Sequence, residues 1–171
     1  MSTTIDGSNS VTINSGAILG ITSGTAVAST SGTSIDFTGI PSWVKRITVM
    51  LSGVSTSGTS LVIVQLGTGG VATTSGYTGG VSQSATYTNL TTGLGTNGNN
   101  GAADVRNGMV TIANISGNNW LSTSVIFLAT TAFGGFGSGT IALAGVLNLV
   151  RITTVNGTDT FDLGSINILY E

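Results

Sequence analysis

Four aspartates, Asp36, Asp104, Asp159 and Asp162, are the residues of this chain whose type is best suited to chemistry. Two carboxyl groups flanking one glycosidic bond can hydrolyse it, one as general acid and the other as nucleophile or base. The nearest thing to such a pair is Thr158-Asp159-Thr160-Phe161-Asp162, where two acids share one segment. Sugar-cleaving sites also carry aromatic platforms, whereas aromatic residues make up 6% of this chain. The expected role of the acids is therefore to cap turns and solvate strand ends. Asp104 and Asp162 could offer oxygens to calcium, but no D-x-D-x-D-G loop accompanies them.

Other chemistries are removed by residue type. The chain has no histidine and no cysteine. That excludes Ser-His-Asp and Cys-His nucleophiles, imidazole and thiolate metal sites, and disulfides. A Ser-Lys pair would have to use Lys45, in a chain where serines are everywhere. The segment Gly67-Thr68-Gly69-Gly70-Val71-Ala72 fits G-x-G-x-x-A, directly after the apolar run Leu61 to Leu66. A dinucleotide site needs a helix next and an acid about 20 residues on. The next residues are instead Thr73-Thr74-Ser75-Gly76-Tyr77-Thr78-Gly79-Gly80, and the next acid is Asp104, so a turn is expected. Trp43 and Trp120 are read as core or interface anchors before sugar-stacking rings. No catalytic, cofactor-binding or metal-ligating residue is assigned, and the chain is expected not to be an enzyme.

Composition points to a folded, self-associating chain. Of its 171 residues 40% are apolar but only 6% charged, against about 25% charged in ordinary globular domains. Mean hydropathy is +0.44. So apolar a chain with so few ions is a poor soluble monomer, and burial against copies of itself is the expected remedy. A net charge of −2 excludes a broad basic face, so nucleic acid is not an expected partner. The run Val125 to Ala129 falls far short of the ~20 apolar residues of a membrane span. Met1-Ser2-Thr3-Thr4-Ile5-Asp6 lacks the basic and apolar regions of a signal peptide.

The elements that must position these residues read as strands. Nowhere do good helix formers recur at helical spacing without Gly, Thr or Val interrupting. Residues 1–33 read as an N-terminal arm or short docking segment, with apolar pulses at Val11 to Ile13 and Ala17 to Ile21. Residues 34–171 read as one body. Its expected strands are Ser34 to Phe37, Trp43 to Val54, Leu61 to Leu66, Val71 to Tyr77, Ala85 to Leu90, Met109 to Ile115, Trp120 to Ala129, Thr140 to Leu143, Leu147 to Val155 and Ser165 to Tyr170. Ser116-Gly117-Asn118-Asn119 predicts a hairpin loop, and Asn156-Gly157 a turn in which both residues tolerate positive φ. The expected fold is all-β, a two-sheet antiparallel β-sandwich with jelly-roll topology.

A resemblance adds a functional expectation. The segment from Thr33 to Met50, containing Gly39-Ile40-Pro41-Ser42-Trp43-Val44-Lys45-Arg46-Ile47, resembles a family of tailed-phage and prophage structural proteins. The likeness continues through Ser52 to Ser60, Val150 to Asp162 and Ile166 to Glu171. Members are often tail-fibre proteins in which this module lies at the C-terminal end. The resemblance implies a virion structural protein and carries no catalytic residues. With residues 1–33 alone ahead of the body, the expected role is a capsid-decorating cement or knob protein, a homotrimer on the virion surface made in the host cytoplasm. Its partners would be itself and the major capsid protein. The alternative is a tail-fibre or receptor-binding tip, with a loop such as Gly93 to Gly101 contacting host-surface glycan.

Overall fold

Short β-branched runs broken by glycine and asparagine become strands and tight turns. The computed structural model describes residues 20–98, 101–102 and 104–171, with the backbone of 12–13 and 16–17. Most of the residues 1–19 of the expected arm thus lie outside the described residues, as do 99 and 100 of the expected glycan loop.

Near the N-terminus β1 (Thr12–Ile13) pairs with β2 (Gly16–Ala17). Then come β3 (Thr22–Ser23), β4 (Val27–Ala28), β5 (Ser34–Thr38) and the long β6 (Arg46–Thr56). β7 (Val62–Thr68) turns into β8 (Val71–Ala72), and β9 (Thr78–Gln83) into β10 (Thr86–Leu90). After the short β11 (Leu94–Gly95) come three long strands, β12 (Arg106–Ser116), β13 (Asn119–Leu128) and β14 (Phe133–Ala142). β15 (Leu147–Thr154) and β16 (Phe161–Tyr170) complete the series.

Among the described residues these strands form two antiparallel sheets packed as a β-sandwich, with no helix. The larger, nine-stranded sheet runs β10-β9-β14-β13-β12-β6-β16, and β3 and β4 both pair with the far edge of β16. Residues 22–28 of the expected arm therefore extend this sheet. The smaller, five-stranded sheet runs β11-β7-β15-β5, with β8 also on β7. The all-β sandwich is as expected, but the jelly-roll path is not confirmed. β12, β13 and β14 meander side by side in one sheet, where a double Greek key would carry successive strands between sheets.

Alternation of burial sets the core. On β6 Ile47, Val49 and Leu51 turn inward, joined by Val110 and Ile112 of β12 and Ile166 and Ile168 of β16. They meet Val62, Val64 and Leu66 of β7 and Val150 and Ile152 of β15. Each such side chain contributes about 1.5–3 kcal/mol by leaving water.

Glycine explains where strand positions depart from expectation. The run Phe133-Gly134-Gly135-Phe136-Gly137-Ser138-Gly139 carries little β propensity, yet it forms the first seven residues of β14. A Cβ on Gly137 would stand 2.8 Å from Gly95 O and from Ser124 Oγ, because β11 crosses the inner face of the sheet there. The predicted strand Val71 to Tyr77 is cut to β8, after which Gly76 turns with φ 83° and β9 begins. The G-x-G-x-x-A segment is the β7–β8 hairpin, as expected. Gly69 and Gly70 adopt φ of 61° and 79°, the two positive values a type I′ turn requires. Asn156-Gly157 also turns, but only Gly157 takes positive φ. Asn156 works through its side chain, whose Oδ1 accepts from the backbone N–H of Thr158 and Asp159.

Candidate functional site

The carboxylates, taken first as the chemical candidates, are dispersed and engaged. Asp36 lies across from Arg151 on β5 and β15 and accepts two parallel bonds from its guanidinium, at 2.8 and 2.7 Å. Asp104 is buried and accepts from Gly101 N–H at 2.6 Å and Thr130 Oγ1 at 2.9 Å. Asp159 fastens the loop before β16, accepting from Ser60 N–H at 2.9 Å and Asn156 Nδ2 at 2.7 Å. Asp104 and Asp159 behave as turn acids, whereas Asp36, at the middle of β5, is the partner of a cross-strand ion pair. Asp162 is exposed on β16. Among the described residues no group of three or more acids is placed to hold a metal ion.

Asp104 and Asp162 do converge electrostatically, on the guanidinium of Arg106. Arg106 is fully buried at the start of β12, a position with no signal in the sequence. Its Nη1 donates to Asp104 O at 2.8 Å and Val54 O at 3.3 Å, while Nε and Nη2 meet no acceptor among the described residues. Burial pushes its pKa down to about 10, and the two aspartates act against that shift.

The aromatic candidates are largely structural. Trp43 is half-buried against the core, its ring centroid 5.9 Å from that of Tyr170. Trp120 is buried, with Nε1 lacking an acceptor among the described residues. Lys45 donates to Asn114 Oδ1 at 3.3 Å. Of the expected glycan loop, Gly93 to Gly98 are buried and Gly101 is half-buried. There Thr96 Oγ1 donates to Val62 O, and Ser124 Oγ reaches Gly95 O and Thr96 O.

The surface that the fold leaves exposed is a face of the larger sheet. Strand register lines up Met50, Met109, Val125, Phe136, Ser82 and Tyr87 in one row across six strands. Met109 is 55% exposed, Val125 73%, Phe136 63% and Tyr87 78%. Phe127, opposite Asn107 and Gly134, lies one step along the strand and is also exposed. A parallel row of Thr48, Thr111, Thr123, Ser138, Gly80 and Asn89 borders it with hydroxyls. Over β9, β10, β12, β13 and β14 the only charged residue is Arg106, which points inward and is buried. Shallow depressions lie on this face beside Tyr87 and Phe136 and beside Met109 and Phe127.

The chain matches no protein-family model, no curated protein and no solved structure.

Proposed function

We propose that the chain is a non-enzymatic structural protein of a tailed-phage particle, displayed on the particle surface as a homotrimer whose role is capsid decoration. The apolar row on the larger sheet carries the reading. A monomer leaves Met109, Val125, Phe136, Tyr87 and Phe127 in water, and burying a large side chain fully is worth about 1.5–3 kcal/mol. The face can be covered without stripping water from ions, the costly step in most interfaces. Hydroxyls along the neighbouring row leave hydrogen bonding available at the rim. Repeated by symmetry, such contacts hold a particle coat through many weak attachments. The resemblance from Thr33 to Met50 and from Val150 to Asp162 is what supports a virion setting. The partners in this reading are further copies of the chain and the major capsid protein.

The test is the number of copies per purified particle, measured by quantitative mass spectrometry against the major capsid protein. Decoration requires a fixed, large fraction of the capsid subunit count. A few tens of copies would make the chain a tail component, the fibre-type alternative. Absence from particles would end the virion reading altogether.

A further inference from the structure

The larger sheet has two edges, and the fold treats them differently. On one side β3 and β4 lie along β16, so residues 22–28 cap that edge. On the other side the sheet ends at β10, whose one ladder partner is β9. The bond from Leu143 N–H to Asn118 O, carried through the registers of β13, β14 and β9, fixes how the backbone of β10 is turned. Thr86, Thr88 and Leu90 direct their N–H and C=O groups to β9. Those of Tyr87 and Asn89 point away from the sheet and meet no partner among the described residues.

An open edge is a template for another strand, and folds ordinarily blunt it with a charge, a proline, a bulge or a cover. Thr86-Tyr87-Thr88-Asn89-Leu90 has neither charge nor proline, and its register against β9 is unbroken. The edge strand β5 of the smaller sheet carries Asp36 instead. The lack of charge also selects the occupant. Two copies meeting about a two-fold axis set like groups close together, so a charged edge repels itself and a neutral one does not. The next strands inward, β9, β14 and β13, add no charge either.

We propose that β10 pairs antiparallel with β10 of a second copy, the two-fold axis passing between the two Thr88 residues. Tyr87 of each copy then exchanges both backbone hydrogen bonds with Asn89 of the other, which satisfies every outward group of the edge. Side-chain placement agrees, since Tyr87 and Asn89 are exposed on the outer face and Thr88 is half-buried on the inner one. Such an axis runs perpendicular to the sheet, so both outer faces point the same way. The two apolar rows, each ending at Tyr87, thus stand on one joined face. The pairing does not rest on self-association through that face or on a virion setting. So few bonds hold two free chains with a Kd on the order of 1 mM, and pairing is strengthened among copies already gathered.

Thr88→Cys tests this directly, because the chain has no cysteine of its own. Non-hydrogen-bonded partners in an antiparallel ladder have Cα atoms about 4.5 Å apart, within reach of a disulfide. At a concentration on the order of 1 mM in glutathione buffer, the Thr88→Cys chain should form a covalent dimer about tenfold faster than Val71→Cys, an exposed control on the smaller sheet. Adding Asn89→Pro removes an outward N–H where an edge strand tolerates proline, and should slow the dimer about tenfold at an unchanged thermal midpoint. Both results are expected again in the Val125→Asp chain, which separates edge pairing from assembly through the apolar face. Equal rates for Thr88→Cys and Val71→Cys, or a rate untouched by Asn89→Pro, would overturn the proposal. So would slow amide exchange at Tyr87 and Asn89 in the dilute Val125→Asp chain, since the chain would then be covering its own edge.

Discussion

Val125 on β13 and Phe136 on β14 stand directly opposite each other across the ladder, and both project away from the core into solvent. Directly opposed side chains touch along one flank, with Cβ atoms about 5 Å apart, and contribute up to about 1 kcal/mol to the sheet. Their outward surfaces stay wet, and Met109 extends the same row on β12. In the proposed assembly a second copy of the chain would cover this face.

Val125→Asp should therefore dissociate the assembly and leave the fold intact. The position makes no core contact, so folding of the single chain should lose only about 1–2 kcal/mol, from the pair with Phe136 and the lower β propensity of aspartate. A carboxylate facing an apolar partner, by contrast, must be desolvated without a counter-ion. Sedimentation velocity should show a shift from trimer to monomer, with an unchanged far-ultraviolet dichroism spectrum. Val71→Asp is the control, equally exposed on the β7–β8 hairpin and outside the row. A wild-type chain that sediments as a monomer, or a Val125→Asp chain that stays trimeric, would remove this face as the self-association surface.

Gly137→Ala should destabilise the protein by about 1–3 kcal/mol, the cost of adding a methyl group to a filled space. The new Cβ would meet Gly95 O and Ser124 Oγ at 2.8 Å and Val81 Cγ1 at 2.9 Å. Two of these neighbours are held in place, since Ser124 bonds the strand that Gly95 belongs to. Gly134→Ala, on the same strand and facing open space, should cost far less. Chemical denaturation of the two variants side by side measures the difference, and equal stability would mean that β11 does not press against Gly137.

The same glycines mark the limit of what the sequence discloses. β13 was legible as an apolar and β-branched run after the Asn118-Asn119 turn, but its inward face was not, since Ser122 and Ser124 are buried while Leu121, Val125 and Phe127 are exposed. The end of β14 was legible for a similar reason, but its glycine-rich start was not. Gly137 is glycine because β11 needs room there, and that is a fact about tertiary contact. The apolar row was half visible. Met109 and Val125 fall in expected strands, yet their alignment with Phe136 and Tyr87 depends on register, which no single strand encodes. Arg106 gave no warning, because a basic residue at a strand end is ordinarily solvated.

Asp159→Ala should cost about 1–2 kcal/mol, because Ser60 N–H and Asn156 Nδ2 both lose a charged acceptor. Asp162→Ala, at an exposed position, should stay within about 0.5 kcal/mol of wild type. Urea midpoints decide between them, and a reversed order would show that Asp159 does not fasten the loop.

Arg106→Met and Arg106→Ala separate volume from charge. The buried guanidinium leaves Nε and Nη2 without acceptors, so a flexible apolar side chain of similar length removes a penalty and keeps the packing. Arg106→Met should lie within about 1 kcal/mol of wild type or above it, the lost bonds to Asp104 O and Val54 O offsetting part of the gain. Arg106→Ala should lose about 3–5 kcal/mol through the cavity it opens. Equal, large losses in both would show that the charge itself holds the fold together.

The alkaline limb of stability should carry the signature of Tyr77. Its hydroxyl is buried, accepts from Leu66 N–H at 2.8 Å and donates to Thr73 O at 3.0 Å. Burial pushes its pKa from 10.0 up to about 12, the bond from Leu66 opposing. In the unfolded chain the phenol ionises near its ordinary value, so the folded state alone retains the proton between roughly pH 10 and 12. Stability tied to Tyr77 is therefore complete below pH 10 and declines above it, by on the order of 3 kcal/mol across that window. Arg106 works in the opposite sense, because its lowered pKa relieves a burial penalty as pH rises through about 10. Wild type and Tyr77→Phe share that arginine, so the difference between them isolates the phenol. At pH 8 the variant should be about 1–2 kcal/mol less stable, having left Leu66 N–H without an acceptor. By pH 11 the gap should have narrowed, as read from urea unfolding followed by Trp43 and Trp120 fluorescence. A gap that stays constant from pH 8 to 11 would mean that the Tyr77 phenol ionises as readily in the folded chain as in water.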